Sequence, residues 1–385
     1  MTPQPSNWQH LWRLRSDTIY LNHGSFGPPP IVVQQARLEW QRKLDEQPMD
    51  FFVRQLEPAW FAARDRLAQF VGTTGNNLIF VDNATVGMNV VADSFPLQAG
   101  DEVLLTNHEY GAVERIWQRA CTKASAVMSI VKLPLPFTTA EETVATILAA
   151  TSAKTKLIVI SHITSATAVT LPVKQLCAAA HERGIAVCID GPHALVQEDV
   201  ALDALGCDFY TASCHKWLCA PFGSGLLYVA PHQQKNIRPP VLSWGRLPPT
   251  SPDRWSDEFL WSGTRDYSEY LSIPTAIDFI EQIGLATFRD HAHSLARYAR
   301  EQLVALTGQP PIIPDDLAWY CSMAHVPITP GTRLPLMEQL WQQFHIEVPI
   351  VEWNGDRYVR VSCHLYNDRS QIDELVHALK VLLYS

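Results

Sequence analysis

The 385-residue chain has no basic cluster, no apolar run of membrane-spanning length and no Cys-x-x-Cys pair. The first absence, with a net charge of −9, argues against a nucleic-acid footprint. The second argues against a membrane helix, which needs roughly 20 apolar residues, since the longest apolar runs here are strand-sized. Met1 to His10 is polar and lacks the apolar core of a signal peptide. Eight cysteines at irregular spacing are too sparse for a disulfide scaffold, and they read as reduced thiols of a cytoplasmic protein. Cys214, His215 and Cys219 match no common zinc spacing and lack a fourth ligand, so no metal is expected. There is no Gly-x-Gly-x-x-Gly or Walker pattern, so nucleotide binding has no motif. Internal repeats and low-complexity segments are also missing.

What is present is a globular composition, 47% apolar and 18% charged, with length enough for two domains. Short apolar runs alternate with helical patterns. The runs are Leu78 to Val81, Glu102 to Thr106, Ala126 to Val131, Leu157 to Ile160, Ile185 to Ile189, Asp208 to Ala212 and Gly225 to Val229. Val86 to Phe95 and Leu171 to Arg183 are two of the helical stretches between them. Runs without polar alternation predict strands buried on both faces, and the repetition predicts an α/β fold with a mostly parallel seven-stranded sheet. Pro231 to Pro252 is loop-rich. Beyond it, helical stretches (Ile273 to Ile283, Leu285 to Leu306, Ser370 to Leu383) and two strand-like ones (Met323 to Ile328, Tyr358 to Ser362) predict a smaller α+β unit. The expected division is a large domain over 17–260 and a small one over 261–385. Residues 1–16 are expected to pack on the small domain or on a partner subunit.

Ligands of such sheets bind at the C-terminal strand ends. Two residues fall there with complementary chemistry. Asp190 closes Ile185 to Ile189, and Lys216 follows Asp208 to Ala212 within Ser213-Cys214-His215-Lys216-Trp217. A lysine amine that condenses with an aldehyde, and a carboxylate that pairs with a pyridine nitrogen, are what a pyridoxal phosphate (PLP) enzyme needs.

Nearby residues extend the pattern. Asn83-Ala84-Thr85-Val86-Gly87 opens a helix after a strand, where free N–H groups and the helix dipole favour a phosphate. Thr85 would serve equally well as an N-cap. His193, three residues past Asp190, fits contact with the cofactor's ring hydroxyl or a helix cap. Ser213 and His215 fit a phosphate or ordinary strand-end bonding. Tyr110 at a strand end fits a stacking ring or a structural one. Arg360 offers a planar fork to a carboxylate, or a surface salt bridge. Arg54, in the aromatic-rich Phe51-Phe52-Val53-Arg54, fits a second carboxylate or a plain helix surface.

Taken together, these residues resemble the class V aminotransferase family of fold-type I PLP enzymes. Within it, Asn22-His23-Gly24-Ser25-Phe26-Gly27, Ser161-His162-Ile163-Thr164-Ser165, Asp190-Gly191-Pro192-His193-Ala194 and Gly263-Thr264-Arg265-Asp266 resemble the isopenicillin N epimerase-like branch. The resemblance implies that Lys216 carries the cofactor, Asp190 faces the pyridine nitrogen and His193 the ring hydroxyl. It implies that Tyr110 stacks on the ring. Ala84, Thr85, Ser213 and His215 would take the phosphate, with Thr264 from a second subunit of a homodimer. Arg360 would take the carboxylate of an amino-acid-like substrate, near Asn22, His23 and Ser165. Ser165 stands where cysteine desulfurases have an asparagine. The implied chemistry is at Cα: epimerisation, with β-elimination from a cysteine derivative or transamination as alternatives. His23 is the expected second acid–base group. A desulfurase is disfavoured because His345 to Gly355, where related members carry a mobile cysteine, has none. The Lys–Asp pair likewise disfavours a non-enzymatic binding protein.

Overall fold

A computed structural model describes residues 8–245 and 252–384. Residues 246–251 of the expected loop region and 1–7 of the N-terminal segment lie outside the described residues.

The strands in chain order are β1 (Ile19–Tyr20), β2 (Leu78–Val81), β3 (Glu102–Thr106), β4 (Val127–Val131), β5 (Thr155–Ser161), β6 (Ala186–Asp190), β7 (Phe209–Ser213), β8 (Gly225–Val229), β9 (Met323–Ile328), β10 (Ile346–Glu347), β11 (Ile350–Trp353) and β12 (Asp356–Ser362). Seven of them form one sheet in the order β2-β8-β7-β6-β5-β3-β4. β8 runs antiparallel to both its neighbours and the remaining pairs are parallel. The C-terminal ends of β2, β3, β5, β6 and β7 therefore share one edge. From β3 the chain passes to β4 on one side and to β5 on the other. This reversal opens a crevice at the same edge, where ligands bind in such sheets.

The unbroken apolar runs follow from burial on both faces. Ile158 and Ile160 join one core layer while Leu157 and Val159 join the opposite one, as the two-residue period of a strand requires. β4 departs from the expectation. It lies at the sheet edge, with Val127 54% and Ile130 45% exposed, because it is paired on one side only.

A second sheet, β11-β12-β9, is antiparallel. Its β11–β12 hairpin turns on Asn354 and Gly355, at φ 53° and 87°, a two-residue turn that an Asn-Gly pair makes at low cost. β1 pairs in parallel with β10. Trp12 is buried at 5% exposure, with rings of Phe279, His364 and Tyr366 edge-on around it and its indole N–H donating to Pro28 O at 3.0 Å. The N-terminal segment is thus stitched to the last quarter of the chain. No helix among the described residues is long and apolar enough to cross a membrane.

Candidate active site

At the shared strand edge lies a cavity of about 540 Å³. Its lining includes Ala84, Thr85, Tyr110, Ser165, Asp190, His193, Ser213, His215 and Lys216. Five separate turns supply these residues, so the sheet brings together positions far apart in sequence.

One end is the start of the helix Ala84–Ser94. Its cap is Asn83, whose Oδ1 accepts from Val86 N at 3.0 Å. Thr85 is therefore not the cap. Ala84 N donates to Ser213 Oγ at 3.0 Å, which ties the helix start to the end of β7. Gly87 keeps that helix close to the sheet, since a Cβ there would sit 3.1 Å from Thr211 Cγ2.

The other end holds Asp190 and Lys216, brought together by the adjacent parallel strands β6 and β7. Asp190 is buried and accepts from Thr211 Oγ1 at 3.2 Å. Burial pushes its carboxyl up, against the pull of Lys216 and Thr211. Burial pushes the Lys216 amine down, and Arg360 adds to this while Asp190 opposes it. Lys216 Nζ lies 3.2 Å from His193 Nε2.

Arg360, on β12, is 4% exposed. Its Nη2 donates to Ser25 Oγ at 2.9 Å, and Nη1 donates to Ser165 O and, at 3.5 Å, to Ser165 Oγ. Both serines line the cavity. These partners are neutral oxygens, and Nε has no partner, so the surface salt bridge weighed from sequence is not formed. Burial alone pushes this guanidinium down to about 10. A buried cation without an anion is costly.

His23, expected as the second acid–base group, is set back from the cavity. Its ring is fully buried and does not line the cavity. Nδ1 meets Tyr366 OH at 2.8 Å and Nε2 meets Lys216 O at 3.1 Å. The ring stacks on His364 at 3.9 Å, and burial holds it down to about 3, so it is neutral. The next residues, Gly24 to Phe26, are the ones that reach the cavity. Gly27 explains the tight approach: a Cβ there would meet Lys216 O at 2.5 Å and His215 O at 2.8 Å.

Arg360 is itself not among the lining residues, and three further expected residues lie outside this cavity. Asn22 donates to Glu347 Oε1 at 3.1 Å instead. Arg54 is exposed and pairs with Asp50 at 3.0 Å. Thr264 is exposed. Cys219 does meet two histidines, His23 and His364, at 3.7 and 3.5 Å from its sulfur. His23 Nε2 also meets the carbonyl oxygen of Lys216 at 3.1 Å, an acceptor only, so this nitrogen carries a proton and has no lone pair for a metal. Residues 345–355 are not an open loop: they hold β10, β11 and the hairpin turn.

Sequence reasoning passed over Glu109. It is buried beside the site, accepting from Ser161 Oγ and Thr106 Oγ1, each at 2.6 Å. Burial, with the charge of Asp190, pushes it up to about 8. Its place at the end of β3, next to Tyr110, was the available signal.

The family model described as Aminotransferase class-V matches residues 50–375. The chain belongs to this family. As a class V enzyme it uses PLP, and the cavity fits that cofactor. It has a lysine and a carboxylate at one end, a capped helix start at the other, and at His215 a buried Nδ1 without a partner. The class V chain is 36% identical over 378 residues to isopenicillin N epimerase of Amycolatopsis lactamdurans, covering 94% of each. It is 31% identical over 404 residues to the putative L-cysteine desulfhydrase 1 of Oryza sativa subsp. japonica, covering 94% of this chain and 83% of that one. Among solved structures it resembles a lysine-to-alanine mutant of C-DES with glycine covalently linked to the PLP cofactor. There the TM-score is 0.83 and the identity 21%, over 98% of this chain and 99% of that one. That likeness shows the fold.

Proposed function

We propose that this class V enzyme removes and returns the proton at Cα of an amino acid, as an epimerase does. One observation carries the substrate class: the Arg360 guanidinium, buried without an acidic partner and bonded to Ser25 and Ser165, which line the cavity that holds Lys216 and Asp190. The 36% identity to an isopenicillin N epimerase supports the reaction.

Bound in this cavity, PLP supplies an electron sink for charge developing at Cα. Lys216 would hold the cofactor and, as a neutral amine, would take the Cα proton. Asp190 keeps the pyridine nitrogen protonated, and a cation beside it favours its ionised form. His193 donates toward the ring oxygen, and Tyr110 covers the ring. Thr85, Ser213, His215 and the N–H groups of the helix start hold the phosphate. Arg360 orients the substrate carboxylate, with Ser25 and Ser165 holding its fork in place. We further propose a homodimer in which Thr264, exposed on its own subunit, completes the partner's phosphate site. A fully active monomer in sedimentation would contradict that.

A second reading, β-elimination of a sulfur group, is favoured by the 31% identity to a putative L-cysteine desulfhydrase. It begins with the same proton removal. Incubation with a panel of amino acids in deuterated water separates the two. Epimerisation gives both stereoisomers carrying deuterium at Cα. Elimination gives a keto acid, ammonia and a thiol or sulfide. If no amino acid exchanges its Cα proton, both readings fall.

A further inference from the structure

Trp217 follows Lys216 and is wholly buried, its ring 5.0 Å from that of His23 and 6.4 Å from that of Phe288. Its indole N–H donates to His193 Nδ1 at 3.3 Å. The other nitrogen of His193, Nε2, faces Lys216 Nζ at 3.2 Å. These two contacts together determine where protons sit. An indole nitrogen only donates, so the nitrogen that receives it carries no proton. A neutral imidazole keeps one proton, which must then be on Nε2. An N–H aimed at Nζ requires a lone pair there, and an ammonium has none.

We propose that Trp217 is a positioning residue: by occupying His193 Nδ1 it fixes the imidazole proton on Nε2 and so holds Lys216 as the neutral amine. This rests on Lys216 being the cofactor-carrying lysine, and it assigns how that lysine is kept reactive.

The surroundings act in the same direction. Burial is the largest influence on His193 and holds it well below its ordinary range, with the charge of Arg360 adding to the effect. His193 is therefore neutral, as the argument requires. On Lys216, burial and Arg360 disfavour the ammonium, and Asp190 opposes them. With Trp217 in place, an ammonium at Nζ would also lose its acceptor, because Nε2 already bears a proton. When the amine is engaged elsewhere, the same Nε2–H remains a fixed donor into the cavity.

The tautomer is directly measurable. Full-length protein labelled with ¹⁵N-histidine, with and without PLP, gives the state of each ring nitrogen by NMR, and His193→Gln identifies the signals. The expected result is an unprotonated Nδ1 and a protonated Nε2 in both forms. Trp217→Phe keeps a ring and removes the donor. It should mix the tautomers and raise, by about one unit, the pH at which the cofactor-free protein captures PLP, since an ammonium then regains its acceptor. A wild-type His193 protonated on Nδ1 overturns the proposal, whether or not Trp217→Phe folds. A folded Trp217→Phe with unchanged tautomer and unchanged pH midpoint overturns it as well. Borohydride labelling of a lysine other than Lys216 would instead remove the cofactor assignment and, with it, the consequence drawn for the amine, while leaving the measured tautomer intact.

Discussion

Arg360 and Ser25 are 335 residues apart in sequence and share a hydrogen bond of 2.9 Å, with Ser25 lining the cavity and Arg360 buried. The bond fixes the direction of a guanidinium that has no acid to pair with. Substrate carboxylate is the partner that position suits.

Arg360→Met removes a buried, uncompensated cation. Replacing buried charge with apolar volume is often neutral or stabilising. The cofactor-free variant should melt no earlier than wild type, while KM rises on the order of a hundredfold or more, the expected loss for an unpaired carboxylate at about 1.4 kcal/mol per factor of ten. A lower Tm with unchanged KM would mark a purely structural arginine.

Asp190→Asn should fold and still take up PLP, because the phosphate contacts do not involve it. A neutral amide does not hold the pyridine proton, so kcat should fall on the order of a thousandfold, about three steps of 1.36 kcal/mol. Steady-state kinetics beside a cofactor-binding titration checks this, and near-normal turnover refutes it.

Glu109 predicts a pH dependence of stability. Its folded carboxyl is raised from the ordinary 4.5 to about 8, chiefly by burial. The folded chain therefore holds a proton that the unfolded chain releases. That contribution is whole below pH 4.5 and is lost as the pH climbs through about 8. Glu109→Gln has no such proton. In urea unfolding of the cofactor-free protein, the drop in stability between pH 5 and pH 8 should be smaller in the variant. An equal drop in both would remove Glu109 as its source.

The eight cysteines are all buried and unpaired. Burial pushes the thiols of Cys214, Cys219 and Cys363 up, away from the reactive thiolate. A thiol reagent should find almost none in the native protein and all eight after denaturation. Treatment before denaturation should leave activity intact. Rapid labelling of Cys321 or Cys363 with loss of activity would reopen the desulfurase reading.

The seven strands of the main sheet were legible because each is a short apolar run closed by turn residues, and the parallel order followed from the helices between them. Lys216 and Asp190 were legible because strand ends are visible in sequence. Other features depended on direction, which sequence spacing does not carry. His23 lies in the right turn, yet its ring points away from the cavity toward Tyr366 and His364, and only the chain's return 340 residues later decides that. Glu109 went unread because an isolated glutamate after a strand looks like surface until Ser161 arrives from β5. The β11–β12 hairpin had a signal in Asn354-Gly355, but Pro349 and the short lengths of β10 and β11 masked it.

The β1–β10 pairing and the Ser25–Arg360 bond also impose an order in time on synthesis. In a chain growing from its N-terminus, Ser25 is made 335 residues before Arg360. The Ser25–Arg360 bond thus closes only after Lys216 and the strands of the main sheet have been made.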